Sequence, residues 1–183
     1  ADRIALQGLL AAAWALRNES GRAQVRITEC IKNVNDVVGA RARFQALLSA
    51  GEPLLNAGFR QMAEPLAREA DKLVDLMDDP AERLRSLLQL SQVQENAETT
   101  HLAATRTIMV AHQPSAAFVE LLRRALVIWR QVRHQGDRLE CVERLAHNIA
   151  WGSAPELATE MLNACRDEAE SALSYIGLST GMA

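Results

Sequence analysis

A chain of 183 residues with 49% apolar but only 4% aromatic side chains can form one domain with a substantial core or a short array of repeats, but not two ordinary domains with linkers. A net charge of −3 supplies no field to gather a polyanion, which sets nucleic acid aside as a partner. No apolar run approaches the roughly 20 residues that span a bilayer, so a membrane is set aside as well, and no cleavable signal pattern is present.

Helical periodicity runs nearly throughout, and the alternation expected of strands is absent. Alanine occurs 31 times, which favours helices that approach one another closely. The spacing predicts helices at 2–17, 20–37, 40–55, 59–77, 80–94, 98–112, 115–134, 135–150 and 154–174. Between them stand Asn18-Glu19-Ser20-Gly21, Asn56-Ala57-Gly58, Asp78-Asp79-Pro80, Gln113-Pro114-Ser115, Gln135-Gly136-Asp137 and Trp151-Gly152-Ser153. Asp79 before Pro80 joins a cap to a first-turn proline, and Ser115 and Ser153 read in a similar way. Pro53 and Pro65 would each interrupt a helix interior, so a break near Gly51-Glu52-Pro53 and a fresh start at Pro65 are expected. Connections this short make neighbouring helices antiparallel.

Four segments align when the chain is compared with itself. Val142, Leu145, Ala146 and Ile149, followed by Ala158, Leu162 and Cys165, match Leu87, Leu90, Ser91 and Gln94, followed by Ala103, Thr107 and Val110. They also match Leu47, Ala50, Gly51 and Leu54 with Ala63, Ala67 and Ala70, and Gln7, Leu10, Ala11 and Trp14 with Ala23, Ile27 and Cys30. The third position is small and the fifth is alanine in all four. Two antiparallel helices pack closely where both present small residues, and stacked pairs then bury a seam that no single pair could bury. Ala146 and Ala158 are the expected contact point of the last pair, and Cys30 and Cys165 fall in one column of the expected core.

Leu145-Ala146 with Ala158, and Ala50-Gly51 with Ala63, resemble the tetratricopeptide repeat, although the spacings of 40, 40 and 55 residues depart from that family's period of about 34. The resemblance implies an all-α fold of about nine helices. Antiparallel hairpins would stack into a short, right-handed α-solenoid over a single domain, 1–183, with 115–134 as an additional helix outside the repeat. Similar degenerate arrays occur in regulatory domains of bacterial transcription activators.

Chemistry has little foothold. Glu143 and His147 share a helix face at i, i+4, but no HExxH, CxxC or acidic loop accompanies them, so neither a metal nor another cofactor is expected. His101 and His112 lie too far apart to share a metal, and none of the four histidines has the small and basic neighbours of a phosphotransfer site. Cys141 lies off its helix's apolar column, which predicts partial exposure. Three cysteines without a paired framework fit a reducing compartment, with a cytoplasmic location as the default. The chain begins at Ala1 without a Met, and reads as processed or as part of a longer protein.

The expectation is therefore a non-catalytic module that binds a peptide, a helix or a partner subunit, with a second copy of the chain as one candidate. The alternative is a ligand- or peptide-sensing regulatory domain of a larger bacterial protein. The resemblance places the first helix of each pair along a groove. That nominates Leu48, Glu52, Leu55 and Asn56, then Arg85, Leu88, Gln92, Glu95 and Asn96, then Glu140, Glu143, His147 and Trp151. Trp151, beside Gly152, is the candidate anchor. Opposite charge on the arginines of 115–134 and on the acidic stretch from Glu64 to Glu82 adds two further candidate contact faces.

Overall fold

The computed structural model describes residues 2–105 and 115–181, the side chains of 94–105 excepted. Among the described residues there is no strand, and there are nine α-helices: α1 (Asp2–Leu16), α2 (Ser20–Asn33), α3 (Ala40–Asn56), α4 (Arg60–Val74), α5 (Pro80–Thr105), α6 (Ala116–Gln131), α7 (Gln135–Trp151), α8 (Pro155–Ala164) and α9 (Glu168–Gly181). The all-α expectation holds. The described residues group into two compact units, one made of α1–α4 with the second half of α5, the other of the first half of α5 with α6–α9.

Three of the four aligned segments end in the same turn. Glu19, Phe59 and Ala154 donate their backbone N–H groups to Trp14, Leu54 and Ile149, at 2.9, 2.8 and 3.3 Å. One residue earlier, Asn18, Gly58 and Ser153 have positive φ and donate to Ala15, Leu55 and Ala150. These paired bonds form the Schellman closure, which satisfies the last carbonyls of a helix through one left-handed residue. The residue that follows has φ/ψ of −96°/58°, −90°/55° and −108°/74° in turn, and its carbonyl accepts at 3.1 Å from Ala23, Ala63 or Ala158. The alanine column thus marks a fixed place in the first turn of each second helix.

The remaining segment lacks this turn. Its equivalent of Asn18 and Gly58 is Glu98, which lies inside α5. The helices expected at 80–94 and 98–112 are one through Thr105, because Gln94-Glu95-Asn96-Ala97-Glu98 contains neither glycine nor proline, and Asn96 continues the helix where Asn18 ends one. The last expected helix is divided instead. α8 stops at Ala164, and Asp167 starts α9 by accepting from the Glu170 N–H at 2.9 Å. No break occurs at Gly51-Glu52-Pro53 or at Pro65. Pro53 lies in the last turn of α3 and Pro65 near the start of α4, so each removes only one backbone bond from an otherwise continuous helix. Asp79 and Ser115 do cap α5 and α6, accepting from Ala81 and Phe118 at 3.1 and 3.2 Å.

In the first unit, α1 packs along α2 and α3, α3 along α4, and α2 touches α4 more lightly. Gly8 sits directly on the Ala50 backbone, where any Cβ would collide with the carbonyl, so the α1–α3 crossing depends on that glycine. Phe44, Leu47, Leu54, Leu66 and Ile27 fill the core beneath it.

In the second unit, α7 is central and α9 lies along most of it. Gly177 rests on the Glu143 carbonyl, and a Cβ there would come within 2.7 Å of the Ala146 Cβ. Ala146 therefore meets Gly177 of α9. Ala158 is half-buried, and so is Cys165, which the repeat column had placed in the core. Ser91, in the column of Ala146, is buried and accepts from Asn148 Nδ2 at 2.7 Å, joining α5 to α7.

Candidate functional site

Most helices of the first unit turn a charged face to water. α4 does so with Glu64 paired to Arg68 and Glu69 paired to Lys72. α1 does not. Between Ile4 and Leu16 it contains no charged residue, and it buries Ile4, Gly8, Ala11, Ala12 and Ala15 on one side only. Its opposite side carries Leu6, Leu9, Leu10 and Leu16 at 56, 55, 40 and 64% exposure, with Ala13 between them. A helix that is apolar all round is ordinarily covered on every side, and a contiguous exposed apolar patch marks an interaction surface.

One shoulder of this face continues onto α2. Trp14, Gly21, Arg22, Val25 and Arg26 line a shallow depression of about 360 Å³. The Arg22 guanidinium lies 4.7 Å from the centre of the Trp14 ring and 2.9 Å from Glu19, so the indole is shielded by a cation that is itself paired. Arg26 is held by Glu29 at 2.7 Å, and Val25 is exposed.

The residues nominated for a groove are distributed differently from the expectation. In the first unit, Leu48 is half-buried and Glu52 exposed on α3. In the second, Leu88 is buried at 3% exposure and cannot meet a partner, because the α5 face that bears it forms core with Leu84 and Leu87. Arg85 bridges to α7, donating to Glu140 at 2.7 Å and also to Asp137. This bridge holds the Glu140 carboxyl below its ordinary range and raises Arg85 further. Gln92 is exposed, and Asn96 and Glu95 lie outside the residues whose side chains are described. α9 covers the α7 face that was to line the groove: Gly181 abuts the His147 carbonyl, and His147 Nδ1 lies 3.3 Å from Thr180 Oγ1. Glu143 remains exposed at the edge of that contact. Trp151 is half-buried, its ring edge-on to Phe118 at 5.0 Å, which makes it part of the α6–α7 packing.

The thiols are poorly suited to attack. Cys30 is buried between α1 and α2, and Cys141, expected to be partly exposed, is only 3% so. Burial pushes both up to about 11. Among the described residues no group of three or more His, Cys, Asp or Glu side chains could hold a metal ion. His101 and His112 lie outside the described side chains.

The most polar constellation is interior and absent from the expectations. Arg138, on α7, is 1% exposed and donates through Nε and Nη2 to the two Glu170 carboxylate oxygens at 2.6 and 2.9 Å. It also donates to the carbonyls of Trp129 and Ala164, at the ends of α6 and α8, and stacks 4.0 Å from the Trp129 ring centre. Its cation thus meets two helix C-termini, while Glu170 sits in the first turn of α9 and accepts from the Arg166 N–H. Every contact is internal, so this cluster fixes four helices and offers nothing to a ligand.

No protein-family model matches the chain, and no curated protein matches it significantly. Among the described residues, the outer face of α1 gathers four of the exposed large apolar side chains on one helix.

Proposed function

We propose that this protein is a non-catalytic interaction module, a short tetratricopeptide-like array that binds a protein partner. The repeated Schellman turn supports the array. One observation supports the binding role above all: four leucines of α1 stand exposed on a helix that carries no charge from Ile4 to Leu16. The binding surface is therefore the outer side of α1 with its Trp14–Val25 shoulder, in place of the groove along α3, α5 and α7.

Leu9→Glu tests this directly. Leu9 is more than half exposed, so the substitution leaves the core intact and should barely move the unfolding midpoint. Affinity capture from the native host with the intact chain should recover a partner that the variant loses and that Lys72→Glu, on the charged face of α4, retains. Recovery by all three chains alike would remove α1 from the binding role.

A further inference from the structure

The geometry points to a second copy of this chain as the occupant of α1, with the two α1 helices antiparallel about a two-fold axis between Leu9 and Leu10. This rests on the interaction reading above and specifies the partner that reading leaves open. An isologous interface requires one patch to be complementary to itself. On α1, residues whose numbers sum to 19 would face one another. Leu9 then meets Leu10 on both sides of the axis, and each Leu6 lies over the other chain's Ala13, a large residue against a small one. Leu16 falls beside the aliphatic stem of Arg3.

The ends complete the match. Asp2 and Arg17, both exposed, stand at the two ends of this face, and the same register sets each Asp2 against the other copy's Arg17, whose ion pair with Glu19 in its own chain is a long 3.9 Å, while Arg3 lies beside Leu16. A parallel arrangement would place like against like at both ends. Opposite charges at the rim of an apolar centre favour one orientation and reject the other. The Trp14, Arg22 and Val25 shoulder continues the patch from α1 onto α2.

Sedimentation equilibrium of the full chain over a wide concentration range tests the inference. The expected result is a reversible monomer–dimer equilibrium. Leu9→Glu should raise the dissociation constant at least about tenfold, and Leu16→Arg, at a second exposed position, should do the same. Circular dichroism with unfolding midpoints establishes that both variants fold. Asp2→Arg and Arg17→Asp should each weaken the dimer, and the double exchange should restore it. A chain that is monomeric throughout overturns the inference, and so does a dimer indifferent to both leucine variants. Assembly through a head-to-tail contact, such as α1 against the exposed Tyr175 and Ile176 of α9, overturns it too. If the chain is monomeric but Leu9→Glu still abolishes capture of another protein, only the self-pairing fails and the interaction reading stands.

Discussion

Arg138 and Glu170, 32 residues apart, form a two-point ion pair with both side chains withdrawn from water, at 1 and 0% exposure. Removing both charges from solvent is costly, and their attraction, together with the hydrogen bonds around them, offsets that cost. Loss of one partner strands the other. Arg138→Ala or Glu170→Ala should therefore each destabilise the fold by about 3–5 kcal/mol. The double change Arg138→Met with Glu170→Leu should recover a large part of that loss. Urea unfolding of the four chains checks it, and simple addition of the two single losses would show that the groups act independently.

The same pair sets a pH dependence. The Arg138 hydrogen bonds hold the Glu170 carboxyl below its ordinary value of 4.5, outweighing the opposite effect of burial. A depressed folded value means that the unfolded chain binds the proton first as pH falls. The stabilisation is thus complete above about pH 4.5 and is lost progressively below it, as pH drops through the folded value. Glu140 adds a smaller contribution of the same sign, reduced by its exposure to solvent. Unfolding free energy measured from neutral to acid pH should fall over this range, and Glu170→Gln should flatten the fall while lowering the plateau.

These residues also mark where the sequence stopped being informative. Helix ends at Asn18, Gly58, Pro80 and Ser115 were legible because each carries a local device, a left-handed turn or a cap. Self-comparison located the alanine column because a Schellman turn fixes a whole run of backbone geometry. Arg138 was not legible: an arginine beside the apolar Leu139 reads as solvated, and only long-range packing brings Glu170 to it. One signal was available, since Asp167-Glu168-Ala169-Glu170 has the spacing of a helix start and would have divided 154–174. The α7 side of the expected groove is covered for a related reason. Its α7 face was assigned by analogy between hairpins, and α9, concealed within the last expected helix, lies over it. The leucines of α1 were visible as letters, but their exposure depends on which side of α1 faces α3.

Two glycines in helices should respond oppositely to alanine. At Gly177 a Cβ would be driven into the Glu143 carbonyl and the Ala146 side chain, forcing α9 off α7. Gly177→Ala should destabilise by about 1–3 kcal/mol, the usual cost of overpacking. At Gly21, in the first turn of α2, a Cβ would meet nothing within 4 Å. Gly21→Ala restricts only the unfolded chain and should stabilise by about 0.4–1 kcal/mol. Thermal unfolding of the two variants should move in opposite directions, and a shift of the same sign in both would contradict the close approach at Gly177.

Thiol accessibility provides an independent reading of the two interior contacts. With Cys30 and Cys141 pushed up to about 11, only about one thiol in a thousand at each site is ionised at pH 8, and burial blocks the reagent as well. Cys165 is half-buried at the end of α8, with its sulfur 3.4 Å from Ser174 Oγ on α9. A disulfide reagent added to the native protein should therefore modify Cys165 first and leave the other two until the chain unfolds. Gly177→Ala, by loosening α9, should accelerate Cys165 while leaving Cys30 and Cys141 unchanged, because Cys30 is held against Ile4 between α1 and α2, and Cys141 lies on the side of α7 toward Arg85 of α5. Mass spectrometry of the labelled peptides over time distinguishes the three sites. Early labelling of Cys30 in the native protein would show that α1 parts from α2 far more readily than their packing allows.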